Sequence, residues 1–209
     1  DLDGDGNHEV VLTNLYASNA DQPQIFVLDN DQYGWDSNGG NEQNHLAAGW
    51  SIAATSNRAD VDSIFASEPN NPRAVIGGMD MDQDGIQEVI ANDYAGHRVI
   101  VYEYDAANSA FDVVWTSPVI ATVNHGASPR AQGVGDLDGD GKHEIVFPVA
   151  DANAYGYHIY EWDGVVGSDN YGTTFSSVNN VEVDICCPDG GVFRGRVEQF
   201  EIDDVDGDG

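Results

Sequence analysis

Basic residues are scarce in this chain: 7 Lys and Arg stand against 37 Asp and Glu, a formal net charge of -30 at pH 7. Nucleic acid and anionic membrane surfaces are held by basic patches, which so few scattered cations cannot build, so neither is an expected partner. Long apolar runs are lacking as well. No stretch approaches the ~20 residues that span a bilayer, and no membrane insertion is expected. Cysteine is limited to the neighbours Cys186 and Cys187. Their adjacency excludes a staple across a long loop and leaves three states open: a vicinal disulfide, two free thiols, or bonds to another chain. Structural zinc is not expected, because no spaced Cys/His set accompanies the pair. Catalytic signatures are missing too. There is no G-x-S-x-G elbow and no H-E-x-x-H, and His45, His97, His125 and His158 stand without a motif around them, so the chain does not read as an enzyme.

An acidic repeat is present instead. DLDGDGNHEVV begins at Asp1, DMDQDGIQEVI at Asp80 and DLDGDGKHEIV at Asp136, and DVDGDG begins at Asp204. Repeats on this scale divide the chain into units 1–79, 80–135 and 136–203, with 204–209 opening another. The chain starts at Asp1, without Met and inside a motif, which reads as a mature or excerpted chain.

Each complete motif runs into an apolar, β-branched stretch, Val10–Leu12, Val89–Ile90 or Ile145–Val146, which predicts a strand. A second strand is expected at Gln24–Leu28, Arg98–Tyr104 and His158–Trp162, with Asp29, Asp105 and Asp163 behind them. A third is marked by Trp50-Ser51, Trp115-Thr116-Ser117 and Phe175-Ser176-Ser177. The fourth leads into the next acidic loop from Arg73, Arg130 and Arg196. No amphipathic helix is apparent. The expected fold is all-β: four-stranded antiparallel meanders, three in number, which cannot bury both faces alone and must stack on one another.

Alternate acidic residues on a tight loop turn their oxygens inward, and a hard cation such as calcium takes six to eight of them. The expected ligands are Asp1, Asp3, Asp5, Glu9 and the carbonyl of Asn7; then Asp80, Asp82, Asp84, Glu88 and the carbonyl of Ile86; then Asp136, Asp138, Asp140, Glu144 and the carbonyl of Lys142. Asp204, Asp206 and Asp208 form part of a fourth site. Variety at the seventh position suits a donor that uses only its backbone. Gly6, Gly85 and Gly141 permit the turn. His8 and His143 share one loop position, which suggests a structural role. An EF-hand is excluded, because its twelfth position would fall on Leu12, Ala91 or Phe147 rather than on an acidic ligand.

The motif D-x-D-x-D-G-x-x-E before a strand resembles the FG-GAP/VCBS repeats of integrin-α-like β-propellers, with Gly77-Gly78 and Val134-Gly135 as the nearest traces of the family's glycine marks. The resemblance implies propeller blades whose loops join two strands of one blade around a structural calcium ion, in an extracellular or cell-surface protein. The expected function is a calcium-stabilised structural module that associates with copies of itself, since a further copy could complete the motif opened at Asp204 and join chains head to tail. One alternative is glycan binding or adhesion through Tyr33-Gly34-Trp35-Asp36 and Tyr155-Gly156-Tyr157-His158. Another is a non-catalytic scaffold within a polysaccharide-active enzyme.

Overall fold

In the computed structural model of the chain, the residues described are 2, 6, 8–14, 25–30, 50–55, 72–93, 98–108, 110–118, 132–150, 155–176 and 202–203. Among them there is no helix, and every sheet is antiparallel.

Eleven strands follow one another among the described residues: β1 (Val10–Thr13), β2 (Ile25–Asn30), β3 (Trp50–Thr55), β4 (Pro72–Met79), β5 (Glu88–Asp93), β6 (Arg98–Asp105), β7 (Ala110–Thr116), β8 (Gly133–Gly135), β9 (Glu144–Ala150), β10 (Tyr155–Trp162) and β11 (Tyr171–Ser176). They form three meanders, β1-β2-β3, β4-β5-β6-β7 and β8-β9-β10-β11. The strands expected within the described residues are thus present, with a phase set by the hydrogen bonds. The strand before each acidic loop pairs with the strand after it, β4 with β5 and β8 with β9. Each loop is therefore a turn inside one sheet, and a sequence period counted from motif to motif begins one strand into that sheet. The fourth strand expected after Arg196 lies mostly outside the described residues.

Side-chain alternation explains why the sheets stack. The middle sheet points successive residues to opposite faces, and both faces are covered. Val89, Ala91, Ile100, Tyr102 and Phe111 pack with Leu2, Ile25 and Val27 of the first sheet and its leading loop. Ile90, Val99 and Val101 pack with Met81 and with Ile145, Phe147, Tyr160, Trp162 and Tyr171 of the third. A slip in register between Val101 and Tyr102 bulges β7, so that Val113 faces the first core while Val114 and Trp115 both face the second. Trp115 meets Tyr160 and Tyr171 edge-on, with centroids 5.3 and 5.1 Å away.

Two buried polar sets fix the middle sheet. Asn92 Oδ1 accepts from the backbone N–H groups of Arg73 and Ala74, where β4 slips against β5, and its amide donates to Gln132 Oε1 at 3.1 Å. Gln132 in turn donates to the Ile90 carbonyl, tying the segment before β8 to β5. Arg98 and Asp93, both fully buried, pair at 3.0 Å. The close approach of neighbouring layers also accounts for a glycine mark in the sequence. A Cβ on Gly135 would stand 3.0 Å from Ile202, which packs there on the third sheet just before the last acidic cluster.

Candidate metal centres in the acidic loops

The loops share one hydrogen-bonding plan, built from the residues that define the motif. In the loop from Asp80, the first Asp accepts from the sixth residue (Gly85 N–H to Asp80 Oδ2, 3.1 Å). The third-position Asp accepts from the fifth residue, and the fifth-position Asp from the seventh: Asp84 N–H to Asp82 Oδ1, Ile86 N–H to Asp84 Oδ1. The loop from Asp136 repeats all three bonds, with Gly141, Asp140 and Lys142 donating to Asp136, Asp138 and Asp140. Gly6, Gly85 and Gly141 have φ of 94°, 98° and 87°, the left-handed region that a Cβ disfavours. Gln83 takes the same region at φ 61° where the third copy has glycine, and its amide donates to the Gly141 carbonyl of the neighbouring loop.

The ninth-position Glu closes each loop. Glu88 Oε2 accepts from Met81 N–H and Glu144 Oε2 from Leu137 N–H, both at 2.6 Å, and Glu9 Oε2 accepts from Leu2 N–H. The other oxygens of Glu88 and Glu144, like Oδ1 of Asp80, are buried without a hydrogen-bond partner. Leaving a buried carboxylate oxygen unmet is costly, and in both loops it falls within a set of further carboxylates. Oxygens of Asp80, Asp82, Asp84 and Glu88 lie within 4.8 Å of one another, as do those of Asp138, Asp140, Glu144 and Glu161. The donors are all hard oxygens, of the kind that could hold a metal ion. Of the expected ligands, Asp136 stands apart from its set, because both its oxygens accept from loop backbone. Asp1, Asp3, Asp5, Asn7, Asp204, Asp206 and Asp208 lie outside the described residues, as do Cys186 and Cys187.

The sheet brings in residues that the motif does not announce. Strand register sets Glu103 opposite Glu88 and Glu161 opposite Glu144. The turn between β10 and β11 delivers Asp169. Asp163 organises that turn by accepting from Val165 N–H, Ser168 Oγ and Asn170 Nδ2, and Gly167 N–H reaches across to the Asp82 carbonyl at 3.1 Å. Oxygens of Asp82, Glu88, Glu103 and Asp169 then form a further set within 4.8 Å. In the third loop the ammonium of Lys142 bridges Asp140 Oδ2 and Glu161 Oε1, at 2.5 and 3.2 Å. The sequence expectation for Lys142 involves only its backbone carbonyl.

Crowding shows in the protonation of the second loop. Burial pushes the Glu88 carboxyl up to about 8, with the charges of Asp82 and Asp169 adding to it. Burial likewise raises Glu103 to about 7 and Asp169 to about 6, each helped by neighbouring carboxylates. Burial also raises Asp82 and Glu144. Folded carboxyls with raised pKa values bind protons more tightly than unfolded ones, so ionisation opposes folding. Their contribution is intact below the ordinary carboxylate range and is lost as pH climbs through the raised values. The ion-free chain should therefore melt at progressively lower temperature between roughly pH 5 and pH 8, and saturating calcium should abolish or reverse that slope, because cations bind the deprotonated loop. Thermal melts across pH, with and without calcium, measure both slopes.

With loops, strands and their register in place, the comparison with protein families is direct: a family model described as FG-GAP-like repeat matches from Asp80, the first residue of the second loop, to Phe147 in β9. Residues 80–147 are therefore similar to an FG-GAP-like repeat. The matched region takes in both well-described acidic loops and the two buried glutamates. No curated protein and no solved structure matches the chain significantly.

Proposed function

We propose that this chain is a calcium-stabilised structural module of propeller type, working outside the cell or at its surface and without catalysis of its own. The observation that carries the reading is the paired arrangement at Glu88 and Glu144. In each, one carboxylate oxygen is tied to loop backbone while the other is buried, unpartnered and surrounded by carboxylates. A bound calcium ion would supply the positive charge these oxygens lack, turning mutual repulsion into a cross-link between the loop and the strand that follows. The stacked meanders β4–β7 and β8–β11 then act as two blades and β1–β3 as part of a third, with face-to-face packing of the kind propellers use. Terbium, a luminescent stand-in for calcium, tests the reading through Tyr171, whose hydroxyl lies in the field of Glu88, Asp169, Asp82 and Glu103. Aromatic-sensitised emission that calcium displaces is expected; emission absent from the folded chain would refute it.

Self-association is favoured by the outward face of the first sheet, where β1 exposes Val10 and Leu12 at 42% and 45% while Val11 packs inward. A second copy of the chain stacking there would give that sheet the double cover that the middle sheet enjoys. Light scattering should show concentration-dependent oligomers in calcium that Leu12→Glu reduces to monomer; a wild-type chain that stays monomeric would end this reading. The glycan reading gains no support from His158, whose ring stacks on Phe147 and Tyr160. The side chains of Tyr155 and Tyr157, and the segment Tyr33–Asp36, lie outside what is described.

A further inference from the structure

The second loop carries more carboxylates than one ion can neutralise, and it differs from the third loop in a way that identifies what else it holds. Resting on the calcium reading above, we propose that a second divalent cation sits beside the loop ion, held between the middle and third sheets by Asp82, Glu88, Glu103 and Asp169.

Three observations support this site. Oxygens of these four residues, drawn from the second loop, from β5 and β6 and from the β10–β11 turn, converge within 4.8 Å. Within that convergence, Glu88 is only 1% exposed and its Oε1 is unpartnered, and Asp169 Oδ1 is buried without a partner. The hydroxyl of Tyr171, 4% exposed and in the field of all four carboxylates, has no partner either. Unmet buried oxygens from two sheets among converging carboxylates call for a cation with oxygen ligands. The third loop supplies an internal control. There the cross-strand Glu161 and the loop carboxylate Asp140 are bridged by the Lys142 ammonium. The equivalent residues of the second loop are Glu103 and Asp84, and the lysine position is occupied by Ile86, which has no charge. In the third loop the ammonium thus neutralises two members of the loop's own acidic set, Asp140 and Glu161; in the second, Glu103 has no such partner and, enclosed by Asp169 from the next sheet, takes a cation from solution. Asp82 and Glu88 belong to both sets and serve as bridging carboxylates. The cation so held links a loop of the middle sheet to a turn of the third, where the only hydrogen bond between them among the described residues is Gly167 N–H to the Asp82 carbonyl.

Native mass spectrometry of the whole chain in calcium counts bound ions directly. Glu103→Gln and Asp169→Asn should each bind one ion fewer than wild type. Ile86→Lys, which restores the arrangement of the third loop, should also lose one ion while melting higher than wild type in EGTA. Unchanged ion counts in all three variants would overturn the proposal. Should one variant fail to fold, Ile86→Lys decides, since lysine is already accommodated at the same loop position. A wild-type chain that binds no calcium would refute the loop reading itself, whereas a wild type that binds calcium with variants that bind as many ions refutes only the second site.

Discussion

Excess EGTA should lower the melting temperature of this protein by roughly 15–30 °C. For sites of about 10 μM or tighter, calcium at about 10 mM is a thousandfold excess and stabilises by about 4 kcal/mol per site, so the two loops from Asp80 and Asp136 give about twice that. For a chain of this length each kcal/mol moves the midpoint by about 2–4 °C. The effect is large because of what remains when the ions leave. Asp80, Asp82, Asp84, Glu88, Glu103 and Asp169 then form two overlapping acidic sets with no ion pair to a basic side chain among the described residues. Met81, which donates its N–H to Glu88, belongs to the core shared by the middle and third sheets, so loosening the loop loosens the core. Differential scanning calorimetry in calcium and in EGTA makes the comparison; superimposable melts would refute it.

Replacing Glu88 with Gln should change sign with the metal. In calcium the variant lacks a charged ligand and should be less stable than wild type by up to about 4 kcal/mol, the value of one saturated site. In EGTA near pH 9, where wild-type Glu88 must be ionised in a buried setting, the variant should be more stable by about 1–3 kcal/mol, the usual cost of an unmet buried group. Glutamine keeps the shape and can still accept from Met81 N–H, so the difference isolates charge. A merely structural glutamate would give the same sign in both conditions. Chemical denaturation at fixed pH, with and without calcium, reads both values.

Much of the fold could be read in the sequence because one feature recurs at each level. The acidic loop fixes a glycine with positive φ, the strand after it and a glutamate that closes it, and all three appear at Asp80 and Asp136 as the spacing implies. Gly135 was visible as a family trace, and its reason is the approach of Ile202. Less legible were the residues whose roles depend on pairing across strands. Glu103 and Glu161 enter the acidic sets because register sets them opposite Glu88 and Glu144, and no local spacing announces a cross-strand neighbour. Asp105 and Asp163, placed behind the second strands in the sequence like Asp29, organise the turns after β6 and β10. Asp169 was further from view, since it belongs to a different sheet from the loop it joins. The signal that could have found it is the Asp163–Asn170 turn, dense in residues whose side chains bond their own backbone.

Calorimetric titration of the ion-free chain with calcium, repeated at pH 7 in two buffers of different ionisation enthalpy, tests the central claim most directly. Saturable binding with dissociation constants between about 1 μM and 1 mM is expected, the range of sensor and extracellular calcium sites. Proton release should accompany it, because Glu88, held near 8 without metal, must give up its proton to bind. Absence of binding up to about 10 mM calcium, beyond the weakest of those sites, would contradict the account, as would binding without proton release.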